Sequence, residues 1–193
     1  QTTAVNTYNV AVGYLAGEDV TTGTLNTLIG GLAGDAFTTG QENTALGYQA
    51  LTADTKGKFS VAVGNNALAT QNFTTATSAF NTAVGYDTGL TLTTGQYNTL
   101  VGGLSGDAIT DADFNVAMGY AALSTNTVGS SSVAIGSFAL NAQNPATAAS
   151  MLNVAVGHSA GAAVSTGTLN VLIGAEAGDA MTTASSNVAV GHG

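Results

Sequence analysis

Residues 157–161 read Gly-His-Ser-Ala-Gly, the G-x-S-x-G spacing of a hydrolase nucleophile elbow. Such an elbow places a serine Oγ at a sharp strand-to-helix turn, where a histidine can take its proton. Asp179 and His192 follow Ser159 in the chain order that a Ser–Asp–His triad would need. His158 and His192 could also ligate zinc. Eight acids, Glu18, Asp19, Asp35, Asp54, Asp107, Asp111, Asp113 and Asp179, carry the oxygen ligands that calcium prefers. Asn72-Phe73-Thr74 matches the N-glycosylation acceptor pattern.

Whether these groups can meet depends on what positions them, and that is a repeat. One phrase recurs eleven times: NVAVG at 9, NTLIG at 26, NTALG at 43, SVAVG at 60, NTAVG at 81, NTLVG at 98, NVAMG at 115, SVAIG at 132, NVAVG at 153, NVLIG at 170 and NVAVG at 187. Successive starts lie 17, 17, 17, 21, 17, 17, 17, 21, 17 and 17 residues apart, so three short units and one long one make a superrepeat of 72. The two long units open with Ser60 and Ser132, and their extra residues fall in QNFTTATSAF and QNPATAASML. The superrepeats span 9–80, 81–152 and, in part, 153–193.

Within NVAVG the side chains alternate, so the residues either side of the central one share a face of a strand and the central one takes the other. We expect the Val and Ile positions to form a continuous narrow core, and the central Ala or Leu to lie on an exposed face. Each unit closes on a glycine: Gly13, Gly30, Gly47, Gly64, Gly85, Gly102, Gly119, Gly136, Gly157, Gly174 and Gly191. A glycine fixed at a strand end implies a positive φ or a close backbone approach. Three residues later stands a small residue, from Ala16 and Ala33 to Ala177, which predicts a second short strand packed on the first. Thr/Gly stretches such as those at 21, 38 and 93 supply turns.

A 17-residue unit of this kind cannot bury its own apolar face, but stacked units can. The opening asparagines, Asn9, Asn26, Asn43 and their equivalents, then form a ladder of amides along the axis. No apolar stripe of helical period persists. The reading is all-β: residues 1–193 form a single parallel β-solenoid domain of about eleven rungs, a rod of about 50 Å at roughly 4.8 Å per rung.

Composition narrows the function. Charged residues are 7% of the chain, and eleven acids against Lys56 and Lys58 leave a net charge of −9. Nucleic acid and anionic membrane surfaces, which bind through Lys and Arg, are disfavoured. No apolar run is long enough to span a bilayer. There is no Cys and hence no disulfide framework. The first residue is Gln1, with neither Met nor a signal pattern, which suggests a processed form or a fragment.

The units NTALGYQALTADTKG at 43–57 and NTAVGYDTGLTLTTG at 81–95 resemble repeats of phage tail-fibre and related surface proteins, and SVAIG followed by a small-residue segment resembles the head repeats of YadA-like trimeric adhesins. The resemblance covers nearly the whole chain. It implies a left-handed parallel β-roll, three chains side by side, and a fibre used for attachment at a cell surface or virion. The units here are longer than the usual adhesin head repeat, and the superrepeat of 72 is a feature of this chain.

Set in this register, the candidate chemistry thins out. The glycines of GHSAG are repeat positions, and Ser159 stands where other units carry Leu15, Asp87 or Glu176. His192 lies two rungs from Ser159, roughly 10 Å along the axis, against the ~3 Å of a general base. The same distance separates the two histidines and exceeds the reach of a shared zinc. We expect no catalytic residues, no metal and no cofactor, and acids that act as solvated turn residues. The threonines vary in register, which disfavours an ice-binding array. Tyr14, Tyr48, Tyr86 and Tyr120 occupy one position, shared with His158 and His192, and form a side stripe able to stack on sugars or other receptor groups. The expected role is structural and adhesive: an extracellular fibre segment that partners itself as a homotrimer and binds a host-surface glycan or protein. The alternative is a subunit of a self-assembling extracellular filament.

Overall fold

The computed structural model describes residues 6–193 and is a parallel β-solenoid. One eleven-stranded sheet runs its length, with strands Val10–Val12, Thr27–Ile29, Thr44–Leu46, Val61–Val63, Thr82–Val84, Thr99–Val101, Val116–Met118, Val133–Ile135, Val154–Val156, Val171–Ile173 and Val188–Val190 in that order. Neighbours pair parallel and in register, Val10 with Thr27, Thr27 with Thr44, and so on to Val188. Equivalent residues of successive units therefore stack in columns. The extra residues of each long rung add a pair of two-residue strands, Gly57–Lys58 with Thr77–Ser78 and Gly129–Ser130 with Ala149–Ser150.

The sheet faces the opposite way to the sequence expectation. The central residue of each strand points inward: Leu28, Ala45, Ala62, Ala83, Leu100, Ala117, Ala134, Ala155 and Leu172 are wholly buried. The flanking Val, Ile and Thr side chains point outward, and Val12, Leu46, Met118, Ile135 and Ile173 are exposed. Alternation alone shows which residues share a face but not which face is inside. The interior of so narrow a coil has room for Ala at every rung and for Leu at every fourth. It has none for two branched side chains per rung.

The second expected strand is also absent. After each fixed glycine the chain makes consecutive turns, as over 14–19 and 31–36. The small residues of this segment are nevertheless buried, Ala33, Ala50, Ala67, Thr88, Ser105 and Ala122 among them. They pack inside the turn instead of along a strand. The fixed glycines all have φ between +125° and +146°. A Cβ on Gly47 would stand 2.2 Å from the Gly64 carbonyl oxygen, so the rung spacing itself excludes a side chain there.

Core packing explains the four-rung superrepeat. The residue eight after the opening Asn or Ser has positive φ in every rung from the first to the tenth: Gly17, Gly34, Leu51, Leu68, Gly89, Gly106, Leu123, Leu140, Gly161 and Gly178. It is glycine where the strand centre of the same or the next rung is Leu. A Cβ at Gly17 or Gly34 would fall within 2.8 Å of the Leu28 side chain, and one at Gly161 or Gly178 within 2.8 Å of Leu172. Where the centre shrinks to Ala, Leu51, Leu68, Leu123 and Leu140 fill the space. Large and small side chains thus trade places between columns on a four-rung cycle. The interior carries a third column, three residues further on. It is apolar in most rungs, with Phe37, Leu92, Ile109 and Val164 buried there, and polar at Asp54, Gln71, Asn126 and Gln143.

Candidate functional site

GHSAG is built by the same turn as every other rung. Gly157 has φ +141°, Ser159 φ +53° and Gly161 φ +60°. The Ser159 backbone N–H donates to the Ser137 carbonyl at 2.9 Å, which makes it one link in the inter-rung ladder. No helix follows. Among the described residues the Ser159 hydroxyl has no hydrogen bond to His192 or Asp179, and the His192 Nδ1 lies 2.7 Å from the Gly193 carbonyl oxygen. Asp179 sits in an exposed turn. Among the described residues no group of three His, Asp or Glu is placed to hold a metal ion.

The asparagines act on the backbone. The Asn26 N–H donates to the Asn9 Oδ1 at 2.8 Å, and its Nδ2 donates to the Gly40 carbonyl at 2.9 Å. Asn43 repeats both bonds one rung on, to the Asn26 Oδ1 and the Gly57 carbonyl. Each amide thus accepts from the strand start of the next rung and donates to the turn that closes its own unit, and the buried column carries no reactive group.

The acids divide by burial, and one departs from the expectation of solvated turns. Asp54 is wholly buried. It accepts hydrogen bonds from the Gly57 N–H at 2.9 Å, the Phe73 N–H at 3.1 Å and the Gln71 Nε2 at 2.6 Å. Burial nonetheless outweighs these donors and raises its carboxyl above the ordinary Asp value. Asp107 is half-buried and is also raised, by desolvation first. Asn72 of the glycosylation pattern is half-buried and accepts from the Thr55 hydroxyl.

What remains accessible is the outward surface, where side chains stand in four columns. Two are the strand-flanking residues already described. The third is the Tyr/His stripe, at the corner just past each fixed glycine, with Tyr14, Tyr48, Tyr86 and Tyr120 between 51% and 76% exposed. His158 and His192 are exposed in the same column. Asp87 beside Tyr86 raises its phenol, through a hydrogen bond and its charge.

The fourth column was missed by sequence reasoning. It is the residue just before each opening Asn or Ser, held at positive φ throughout. Over four successive rungs it is Phe59, Phe80, Tyr97 and Phe114, whose rings stack at 4.9, 5.6 and 4.9 Å with interplanar angles of 12°, 17° and 3°. The signal was present as an aromatic at one fixed register position, but it lies outside the five-residue phrase that defines the repeat.

No family model, no curated protein and no solved structure matches this chain.

Proposed function

We propose that this chain is a structural and adhesive segment of an extracellular attachment fibre, and that it works as a parallel homotrimer. The observation that carries this reading is the outward apolar face. The strand triplets alone cover about 50 Å by about 10 Å, and the column that precedes them, with Phe80, Tyr97 and Phe114 exposed, takes the face past the ~300–600 Å² of a typical monomer's largest apolar patch. Glu42 is the one charged side chain in these three columns. A face this long, with a single charged side chain, suits a second rod better than a small globular partner. The likeness of the units to adhesin-head and tail-fibre repeats supports three rods in parallel. The function is then display, with a stiff rod carrying binding groups on its corners and turns.

Light scattering combined with electron microscopy tests this. The expected result is a discrete trimer of short rods. A stable monomer at micromolar concentration would overturn the reading, and long uniform fibres would replace it with the filament. Changing Val84 and Val101, at the centre of the face, to Lys should dissociate the trimer and leave the solenoid folded.

A further inference from the structure

The two exposed aromatic columns use the same rung spacing in opposite ways. Phe59, Phe80, Tyr97 and Phe114 occupy consecutive rungs, so each ring spends its faces on its neighbours. In the corner column an aromatic or imidazole stands at every odd rung: Tyr14, Tyr48, Tyr86, Tyr120, His158 and His192. The even rungs carry Gly31, Asn65, Gly103, Ser137 and Ala175. The small residues leave room for the rings. A Cβ at Gly31 would lie 3.4 Å from the Tyr48 ring, and one at Gly103 3.8 Å from the Tyr120 ring. Tyr48 and Tyr120 therefore lean over the rung before them. Phe138 packs edge-on against Tyr120 and His158, at 5.5 and 6.3 Å, so among the described residues the tyrosine rings without an aromatic neighbour in this column are Tyr14, Tyr48 and Tyr86, at intervals of about 9.6 Å.

Between Tyr48 and Tyr86 the surface is polar. Gln49, Asn65, Asn66 and Asp87 surround the gap, and the Asn66 Nδ2 donates to the Asp87 Oδ1 at 2.9 Å. Flat ring faces set among amide and carboxylate groups match the two sides of a pyranose, which has apolar C–H faces and a rim of hydroxyls. The two-rung interval is close to the advance of one disaccharide in an extended β-1,4-linked polysaccharide. Net charge −9 disfavours an anionic polymer. We propose that the corner column, centred on Tyr48 and Tyr86, binds a neutral β-1,4-linked polysaccharide lying along the rod, with every second sugar stacked on a ring. This rests on the attachment-fibre reading and names its ligand class.

The test is calorimetric titration of the full chain with cellohexaose and chitohexaose, with maltohexaose, whose α-1,4 links coil the chain, as the control. The expected result is binding of at least one β-1,4 hexasaccharide and none of maltohexaose. Tyr48→Ala with Tyr86→Ala should weaken it by roughly tenfold or more, the size expected when stacking contacts are lost. Asn65→Tyr, which fills the gap and turns the spaced rings into a stack, should abolish binding in a chain that keeps its melting temperature. Tyr97→Ala, in the stacked column, should leave affinity unchanged. No binding of either β-1,4 hexasaccharide, equal binding of maltohexaose, or full binding by the Tyr48/Tyr86 variant would overturn the proposal. A trimer that still attaches to cells without binding these sugars would overturn the ligand class alone, whereas a monomer would strike the fibre reading beneath it.

Discussion

The two long rungs open with serine, break the asparagine ladder and repair it with a buried glutamine, yet their polar centres differ. In the first, Ser60 has no amide to offer Asn81, and Gln71 takes its place. The Asn81 Nδ2 donates to the Gln71 Oε1 at 2.9 Å, and the Gln71 Nε2 donates to the Ser60 hydroxyl and to Asp54. In the second, Gln143 accepts from the Asn153 Nδ2 at 2.9 Å and from the Ser132 hydroxyl at 3.1 Å. Asp54 is replaced by Asn126 and Phe73 by Pro145. The two changes belong together. The Phe73 N–H donates to the Asp54 carboxylate, and proline has no N–H to give. Asn126 does without it: its Oδ1 accepts from the Gly129 N–H at 3.0 Å and its Nδ2 donates to the Gly129 carbonyl at 2.7 Å. The exchange leaves one buried atom, the Gln143 Nε2, without a partner. The carboxylate centre therefore takes two donors that the amide centre does not, the Gln71 Nε2 and the Phe73 N–H, and the backbone supplies the second only where residue 73 is not proline.

The strongest test moves the proline. Phe73→Pro removes a donor from a buried carboxylate and an aromatic ring from the core, and should cost about 4 kcal/mol in urea unfolding. Adding Asp54→Asn should recover about 1–3 kcal/mol of that, as a coupling energy in a double-mutant cycle. Strict additivity of the two changes would mean that the Phe73 N–H bond contributes nothing, and the comparison would fail.

Much of the fold was legible because a solenoid writes itself into the sequence as a period. The spacing of 17 and 21 residues gave the rungs, the parallel register and the glycines. It did not give the inside. Both readings of Val-Ala-Val obey alternation, and only the width of the coil decides that Ala11-type positions face inward. The polar centres were illegible for a related reason. Asp54 sits in a Thr/Gly-rich stretch that looks solvated, and its burial depends on Gln71 arriving from the next rung. At the surface, the Tyr/His stripe followed directly from the repeat. The stacked rings from Phe59 to Phe114 needed the register to be read one residue upstream of the phrase that defined it.

The charge itself gives the next test. Asn126→Asp puts a carboxylate beside Pro145, one donor short, and should cost about 3 kcal/mol at pH 7. The loss should shrink in acid, because protonation removes the buried charge. At the first centre, wild-type Asp54 already has a raised carboxyl, so the folded chain keeps a proton that the unfolded chain has released. Its contribution to stability is therefore most favourable below the ordinary Asp value of 3.8 and declines as pH rises through the raised value. Thermal melts of wild type and Asp54→Asn from pH 3 to pH 7 should diverge in that direction, with the flatter profile in the variant. A parallel pair of profiles would mean that Asp54 titrates as an ordinary surface acid.

The smallest expected effect is the most demanding of the logic. Asn126→Asp combined with Pro145→Phe rebuilds the first centre at the second: a carboxylate, a Gln143 whose Nε2 now has an acceptor, and a backbone N–H at 145. Stability should return to within about 1 kcal/mol of wild type. The melt should also acquire the pH dependence that Asp54 imposes on its own rung. Gly129 is the obstacle, because a Cβ there would meet the Asn126 Oδ1 at 2.5 Å and the Pro145 Cδ at 3.1 Å, so the pocket is already tight around both positions. A double variant no better than Asn126→Asp alone would show that the phenylalanine ring does not fit. The proline would then have been selected for shape, with the missing N–H as its consequence.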